Sequence, residues 1–178
     1  IVTTDTLNIK MQVYIPSVIQ ADMYEKGLIP HPYKSNIEPQ LLWIPQHEWE
    51  YSLDFKAEDY ILREDVIELV FEGLDTYADV WMNGVKILHA DNMFRTYSYD
   101  VKNIIKETNN IKIKFYPFDK ERDSLIETYP LRFPEKYAVM RKAAYQNGWD
   151  WAPRYMNMGV WQPVYLKAWT RSTICSAS

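Results

Sequence analysis

The chain has 178 residues, 47% of them hydrophobic and 25% charged, with a net charge of -4, which is long enough for one well-buried core and short for two. The acidic balance and the absence of a Lys/Arg block exclude nucleic acid as a partner. No apolar run approaches the roughly 18 to 20 residues that cross a bilayer, so no membrane partner is expected either.

In chain order, Leu7, Ile9, Met11, Val13 and Ile15 alternate with Asn8, Lys10, Gln12 and Tyr14, the period-two pattern of a strand with one buried face, and Pro16 ends it. Gln20 to Lys26 fits a short helix with Gly27 as its left-handed stop. Pro30, Pro32 and Pro39 then impose an extended connection. Trp49, Tyr51, Leu53 and Phe55 alternate with Glu48, Glu50, Ser52 and Asp54 in a second strand, and Val66 to Glu72 make a third. After a corner at Gly73-Leu74-Asp75, Tyr77 to Met82 and Val85 to Leu88 flank Asn83-Gly84, the strongest short hairpin signal, because a type I′ turn needs positive φ at both centres. Asp75 and Asp79 are read as structural groups capping or bridging that corner. Phe94 to Val101 reads as a strand, Val101 to Lys106 as a helical turn, and Asn110 to Tyr116 as a strand with Ile111, Ile113 and Phe115 inward.

Between Phe118 and Met158 the periodicity largely disappears, and Pro130, Pro134 and Pro153 break any long helix. A loop of that length in a compact domain is functional or disordered, and one this rich in Tyr, Phe and Trp does not have the composition of a disordered segment. A last strand, about Trp161 to Trp169, closes the sheet, with Pro163 marking an edge or a bulge. About eight short strands with frequent turn signals make an all-β sandwich of jelly-roll type. One domain over 1–178 is expected, with an ordered core from about 7 to 169 and a polar tail from 170 to 178. The chain begins at Ile1 without a signal-like segment, as a mature or excised piece would. Its one cysteine, Cys175, cannot close an internal disulfide and leaves the compartment open.

The stretch with the most chemistry runs from Arg141 to Arg154. It places Asp150 between Trp149 and Trp151, with Gly148 before, Pro153 after, and two cations upstream at Arg141 and Lys142. An indole offers a flat apolar face to the C–H side of a pyranose, and a fixed carboxylate accepts hydrogen bonds from two vicinal hydroxyls. A plainer alternative stays open at this point, in which Trp149 and Trp151 are core plugs and Asp150 caps a turn. His31, His47 and His89 lie too far apart in sequence for a metal-ligand pattern. No phosphate loop is present, so no cofactor is expected.

Read together, these segments resemble the N-terminal domain of family 2 β-mannosidases. The family run of the type RKAxYxxGWDWGPR stands here as Arg141 to Arg154, with Ala152 where a Gly is usual. Upstream, Lys26-Gly27-Leu28-Ile29, Pro32-Tyr33, Leu42-Trp43-Ile44 and Trp49-Glu50-Tyr51 resemble a second family run, and Phe71 to Gly84 a third. Asn92-Met93-Phe94 and Gly159-Val160-Trp161-Gln162-Pro163-Val164 follow in the same order, so the likeness covers about Val13 to Trp169. It departs at Pro16-Ser17-Val18-Ile19-Gln20, where a Gly and a His are common, and at Ile37, where Asn is usual.

The resemblance implies a galactose-binding-like jelly roll and a role beside a terminal β-mannoside, with Asp150 binding hydroxyls and Trp149 forming a wall. Trp151 and Arg141 would brace the loop, and Lys142 would pair with Asp150 and keep it ionised. Retaining hydrolysis needs two carboxyl groups about 5 to 5.5 Å apart. In the resembled family both are glutamates on a (β/α)8 barrel of on the order of 250 residues, so no catalytic residue is expected in this chain. Glu127 and Glu135 are read as solvated charges. The barrel would lie downstream on the same polypeptide as the domain's partner. Two rival readings remain: a free-standing carbohydrate-binding module, and a purely structural domain of a family 2 enzyme of β-galactosidase or β-glucuronidase type.

Overall fold

Alternating apolar and polar residues become two antiparallel sheets in the computed structural model, which describes residues 1–4, 7–34, 36–128 and 135–170. The strands are β1 (Val2–Thr4), β2 (Ile9–Met11), β3 (Trp49–Lys56), β4 (Val66–Phe71), β5 (Ala78–Met82), β6 (Val85–Ala90), β7 (Tyr97–Asp100), β8 (Thr108–Phe115) and β9 (Val164–Trp169). Among the described residues four short α-helices join them: α1 (Ile19–Glu25), α2 (Glu38–Leu41), α3 (Asp59–Leu62) and α4 (Phe118–Thr128). One sheet has six strands in the order β2-β1-β3-β8-β5-β6, and the other three in the order β7-β4-β9.

Register explains the sandwich. Tyr51 of β3 and Val80 of β5 both pair with Ile113 of β8, so these residues share the inward face, while Ser52 and Trp81 pair with Lys112 on the outward one. From the smaller sheet Ile67, Leu69 and Phe71 enter the same apolar cluster. Trp49, Phe71 and Phe115 are fully buried there, each side chain of this kind contributing about 1.5 to 3 kcal/mol by leaving water. The hairpin expected at Asn83-Gly84 is present, with φ of 52° and 83°. The Asn83 side chain also accepts the Asn110 N–H (2.9 Å) and donates to the Ile104 carbonyl (2.7 Å), fastening the hairpin to β8 and to the turn at 101–105. Gly84→Ala meets no neighbour, so its expected cost is the left-handed strain alone, about 1 kcal/mol. It is measured as a lower urea midpoint with an unchanged m-value.

Several expectations are corrected. Of the strand read over Leu7–Ile15 only β2 is strand, and it pairs antiparallel with β1, Val2 opposite Met11. Asn8 turns at φ 51°, and the alternation beyond Met11 runs as irregular chain in which Ile15 is exposed. The connection across Pro30–Pro39 is not wholly extended, since α2 begins beside Pro39 and a 3-10 turn follows at Ile44–Gln46. Phe94 to Thr96 lie outside β7, and Phe94 is exposed. The largest difference is α4, eleven residues of helix inside the stretch read as aperiodic. Phe118 is its one buried residue and Leu125 packs against the core only in part, too thin an apolar stripe for periodicity to find. Asp119 and Glu121 stand in its first turn, and Arg122 reaches Asp119 (2.5 Å) and Asp123 (3.0 Å) along its surface. Pro163 precedes β9, which is an edge strand. Residues 171–178 with Cys175, and Pro130 and Pro134, lie outside the described residues.

Asp79 meets Lys86 (2.7 Å), His89 Nδ1 (2.7 Å) and the Tyr116 hydroxyl (3.0 Å). Burial pushes its carboxyl upward, but these three hydrogen bonds outweigh that and hold it below the usual range. Asp79 is thus structural, as expected. A second acid, Asp22 on α1, is buried and accepts the Ser17 hydroxyl at 2.8 Å. Burial pushes its carboxyl up to about 6, against the pull of Ser17. A raised folded-state value means the native protein binds the proton more readily than the unfolded chain. The resulting stabilisation is full below about pH 4 and is lost as pH rises through about 6. Asp22→Asn removes this dependence. Between pH 7 and pH 4 the wild type is expected to gain on the order of 1 to 3 kcal/mol relative to the variant, read from paired thermal melts.

Candidate functional site

The long excursion between α4 and β9 ends in a tight turn. Gly148 takes φ 96°, a value an L side chain rarely adopts, and swings the chain outward. Trp149 and Ala152 then exchange both backbone hydrogen bonds, at 3.0 and 3.1 Å, which leaves Asp150 and Trp151 at the tip. Ala152 does not take positive φ, so a β-carbon fits where the resembled family has Gly.

The plainer alternative for this motif does not hold. Trp149 is 51% and Trp151 74% exposed, and the Tyr145 ring lies 6.0 Å from Trp151 at an interplanar angle of 30°. Asp150 is exposed, and among the described residues no hydrogen bond or ion pair occupies its carboxylate. Exposed indoles, an exposed phenol and a carboxylate without a partner thus occur on one short turn and its approach, the residue types that stack on sugar faces and take hydrogen bonds from vicinal hydroxyls. Arg141 is exposed as well, and its backbone carbonyl receives the Met93 N–H at 3.0 Å.

Lys142 is not on this rim. Its ammonium is completely buried and donates to the Asp75 carboxylate, to the Asn157 carbonyl (2.7 Å) and to the Thr76 hydroxyl (3.4 Å), above the Phe118 ring at 4.5 Å. The expected pair with Asp150 is therefore replaced by one with Asp75, 67 residues away in sequence. Burial pushes the ammonium down to about 8, against the pull of the Asp75 carboxylate. The other Asp75 oxygen accepts the Gln146 amide at 3.2 Å, and Gln146 in turn accepts the Asn157 N–H at 2.9 Å. Asp75 and Gln146 were not singled out as site residues from sequence. The available signal was Asp75 itself, a carboxylate set in the run Gly73 to Val80, where an acid needs a buried partner.

The far limb of the excursion is strapped down too. Gly159 and Asp75 exchange backbone hydrogen bonds (2.9 and 3.0 Å). The N–H groups of Ser17 and Ile19 reach Val160 and Met158 (2.8 Å each), and the Gln20 side chain donates to Met156 (2.8 Å). At the foot of the excursion a cavity of about 60 Å³ is lined by Phe118, Arg154 and Met156 among others, well below the roughly 300 to 1,000 Å³ of small-molecule sites.

Residues 2–162 match the family model described as glycosyl hydrolase 2 galactose-binding domain-like. The chain is 29% identical to a β-mannosidase of Mus musculus over 91% of its own length and 20% of that protein. It is 32% identical to β-mannosidase B of Thermothelomyces thermophilus, over 85% of this chain and 18% of that one. A solved β-D-mannosidase of Dictyoglomus thermophilum superposes with a TM-score of 0.88 at 31% identity, covering 95% of this chain and 22% of the other. The chain thus spans about a fifth of the length of these relatives.

Proposed function

Because the chain belongs to the galactose-binding-domain-like family of glycosyl hydrolase 2, we propose that it is the non-catalytic, sugar-contacting domain of a β-mannosidase-type retaining glycoside hydrolase. In this reading 1–178 is one domain, and the acid/base and nucleophile lie on polypeptide beyond it. Asp150 accepts hydrogen bonds from two hydroxyls of the terminal β-mannoside and Trp149 walls the pocket. Trp151 and Arg141 flank the turn. The observation that carries the reading is the unoccupied Asp150 carboxylate between two exposed indoles, on a loop tied at both ends to the sandwich. Contacts to hydroxyls that do not react add positioning energy, which a separate acid/base pair uses at the glycosidic bond.

The test is hydrolysis by the full-length protein. Release of a chromophore from an aryl β-mannoside, with little from the matching β-galactoside or β-glucuronide, supports the proposal, and the opposite preference overturns it. Titration calorimetry of 1–178 with mannose separates the free-standing module. An open wall binds too weakly to register at millimolar sugar, whereas a module that binds alone gives a saturable heat.

A further inference from the structure

Completely burying an ammonium and a carboxylate is a costly way to fill space, since a well-packed apolar pair of similar volume is often neutral or stabilising. What charged and amide groups add over apolar contact is direction, because a hydrogen bond fixes one register while packing tolerates sliding. The Asp75 hub distributes that direction unevenly over the molecule. One oxygen holds Lys142 on the near limb of the excursion, and the other holds Gln146, which stands just before Gly148 and the Trp149–Ala152 turn. Lys142 and Gln146 each then bond the Asn157 backbone on the far limb, through its carbonyl and its N–H. Both limbs of the loop are therefore referred to a single carboxylate in the corner before β5.

We infer that Asp75, Lys142 and Gln146 are positioning residues that set the pose of Trp149 and Asp150 toward the sugar. The inference rests on the reading of Asp150 as the hydroxyl contact. None of the three touches substrate, since all are buried. They act by denying the turn any other register.

A kinetic cycle in the full-length protein tests this. The paired change Asp75→Asn with Lys142→Met removes both charges together and leaves no lone buried ion. It is expected to lower kcat/KM for an aryl β-mannoside by roughly 10- to 100-fold, the scale of a displacement near 1 Å. Repeated in an Asp150→Ala background, the same pair is expected to cost less than about twofold, because the contact it positions is already gone. Equal losses in both backgrounds, or no loss in either, overturn the inference and leave the Asp150 reading standing. If Asp150→Ala alone changes nothing, the proposed function itself fails and this inference with it. Gln146→Met, which keeps the ion pair, runs through the same cycle should the paired variant not fold, with the same outcomes deciding.

Discussion

Asp150→Ala in the full-length protein is expected to lower kcat/KM for a terminal β-mannoside by roughly 100- to 1,000-fold, while the unfolding free energy stays within about 0.5 kcal/mol of wild type. The kinetic figure follows from two hydrogen bonds to a charged acceptor at about 1.5 to 3 kcal/mol each, discounted because an open rim screens them until the pocket closes. The stability figure follows from exposure. Asp150 sits at the tip of its turn with no partner among the described residues, so truncation removes nothing the fold uses. Michaelis–Menten kinetics with a parallel thermal melt decide the matter. A loss below about threefold, or a loss that tracks a drop in melting temperature, rejects Asp150 as a substrate contact.

Gly159→Ala is expected to destabilise the protein by roughly 2 to 5 kcal/mol, combining backbone strain with overpacking. Gly159 has φ 152°, and a β-carbon there would meet the Ser17 carbonyl oxygen at 2.6 Å, Val18 Cα at 2.8 Å and the Tyr51 hydroxyl at 2.9 Å. Two of those atoms are backbone, and the chain on either side is pinned. Gly159 is bonded both ways to Asp75, and Val160 accepts from Ser17. No flexible side chain is available to give way. Chemical denaturation should show the loss as a lower midpoint. A change under 1 kcal/mol would mean that the Ser17–Val18 strap yields easily, and would undercut its role as an anchor of the excursion.

How far the fold could be read from residues depends on how local each cause is. The hairpin at Asn83-Gly84 is written in two adjacent residues, β3 and β8 follow from alternation, and β4 follows from its run of Val, Ile, Leu and Phe. β1 is too short to show a period, and Val2–Thr4 exist as a strand because Val2 pairs across to Tyr51. Helix α4 is polar nearly all round, so its signal lay in charge spacing instead of hydrophobicity. The exposed turn was legible because Gly148, with φ 96°, and the backbone pair Trp149–Ala152 are local causes. Its support was not, since the choice of Asp75 over Asp150 as partner for Lys142 is made by a chain path that brings residues 67 apart into contact. The segment Pro16 to Gln20 tells the same story. Gln20 stands where the resembled family has His, and only the structure reveals that it ties α1 to Met156, 136 residues away.

Those sequence separations make the motif hard to transplant. Contacts across such spans carry the cost of closing the intervening chain, and the turn's anchors are supplied by residues that only the folded sandwich brings beside it. A synthetic peptide of residues 141–159 would carry every aromatic ring of the rim without its geometry. Grafting the motif into another scaffold would demand a counterpart of Asp75 and of the Ser17–Gln20 strap as well.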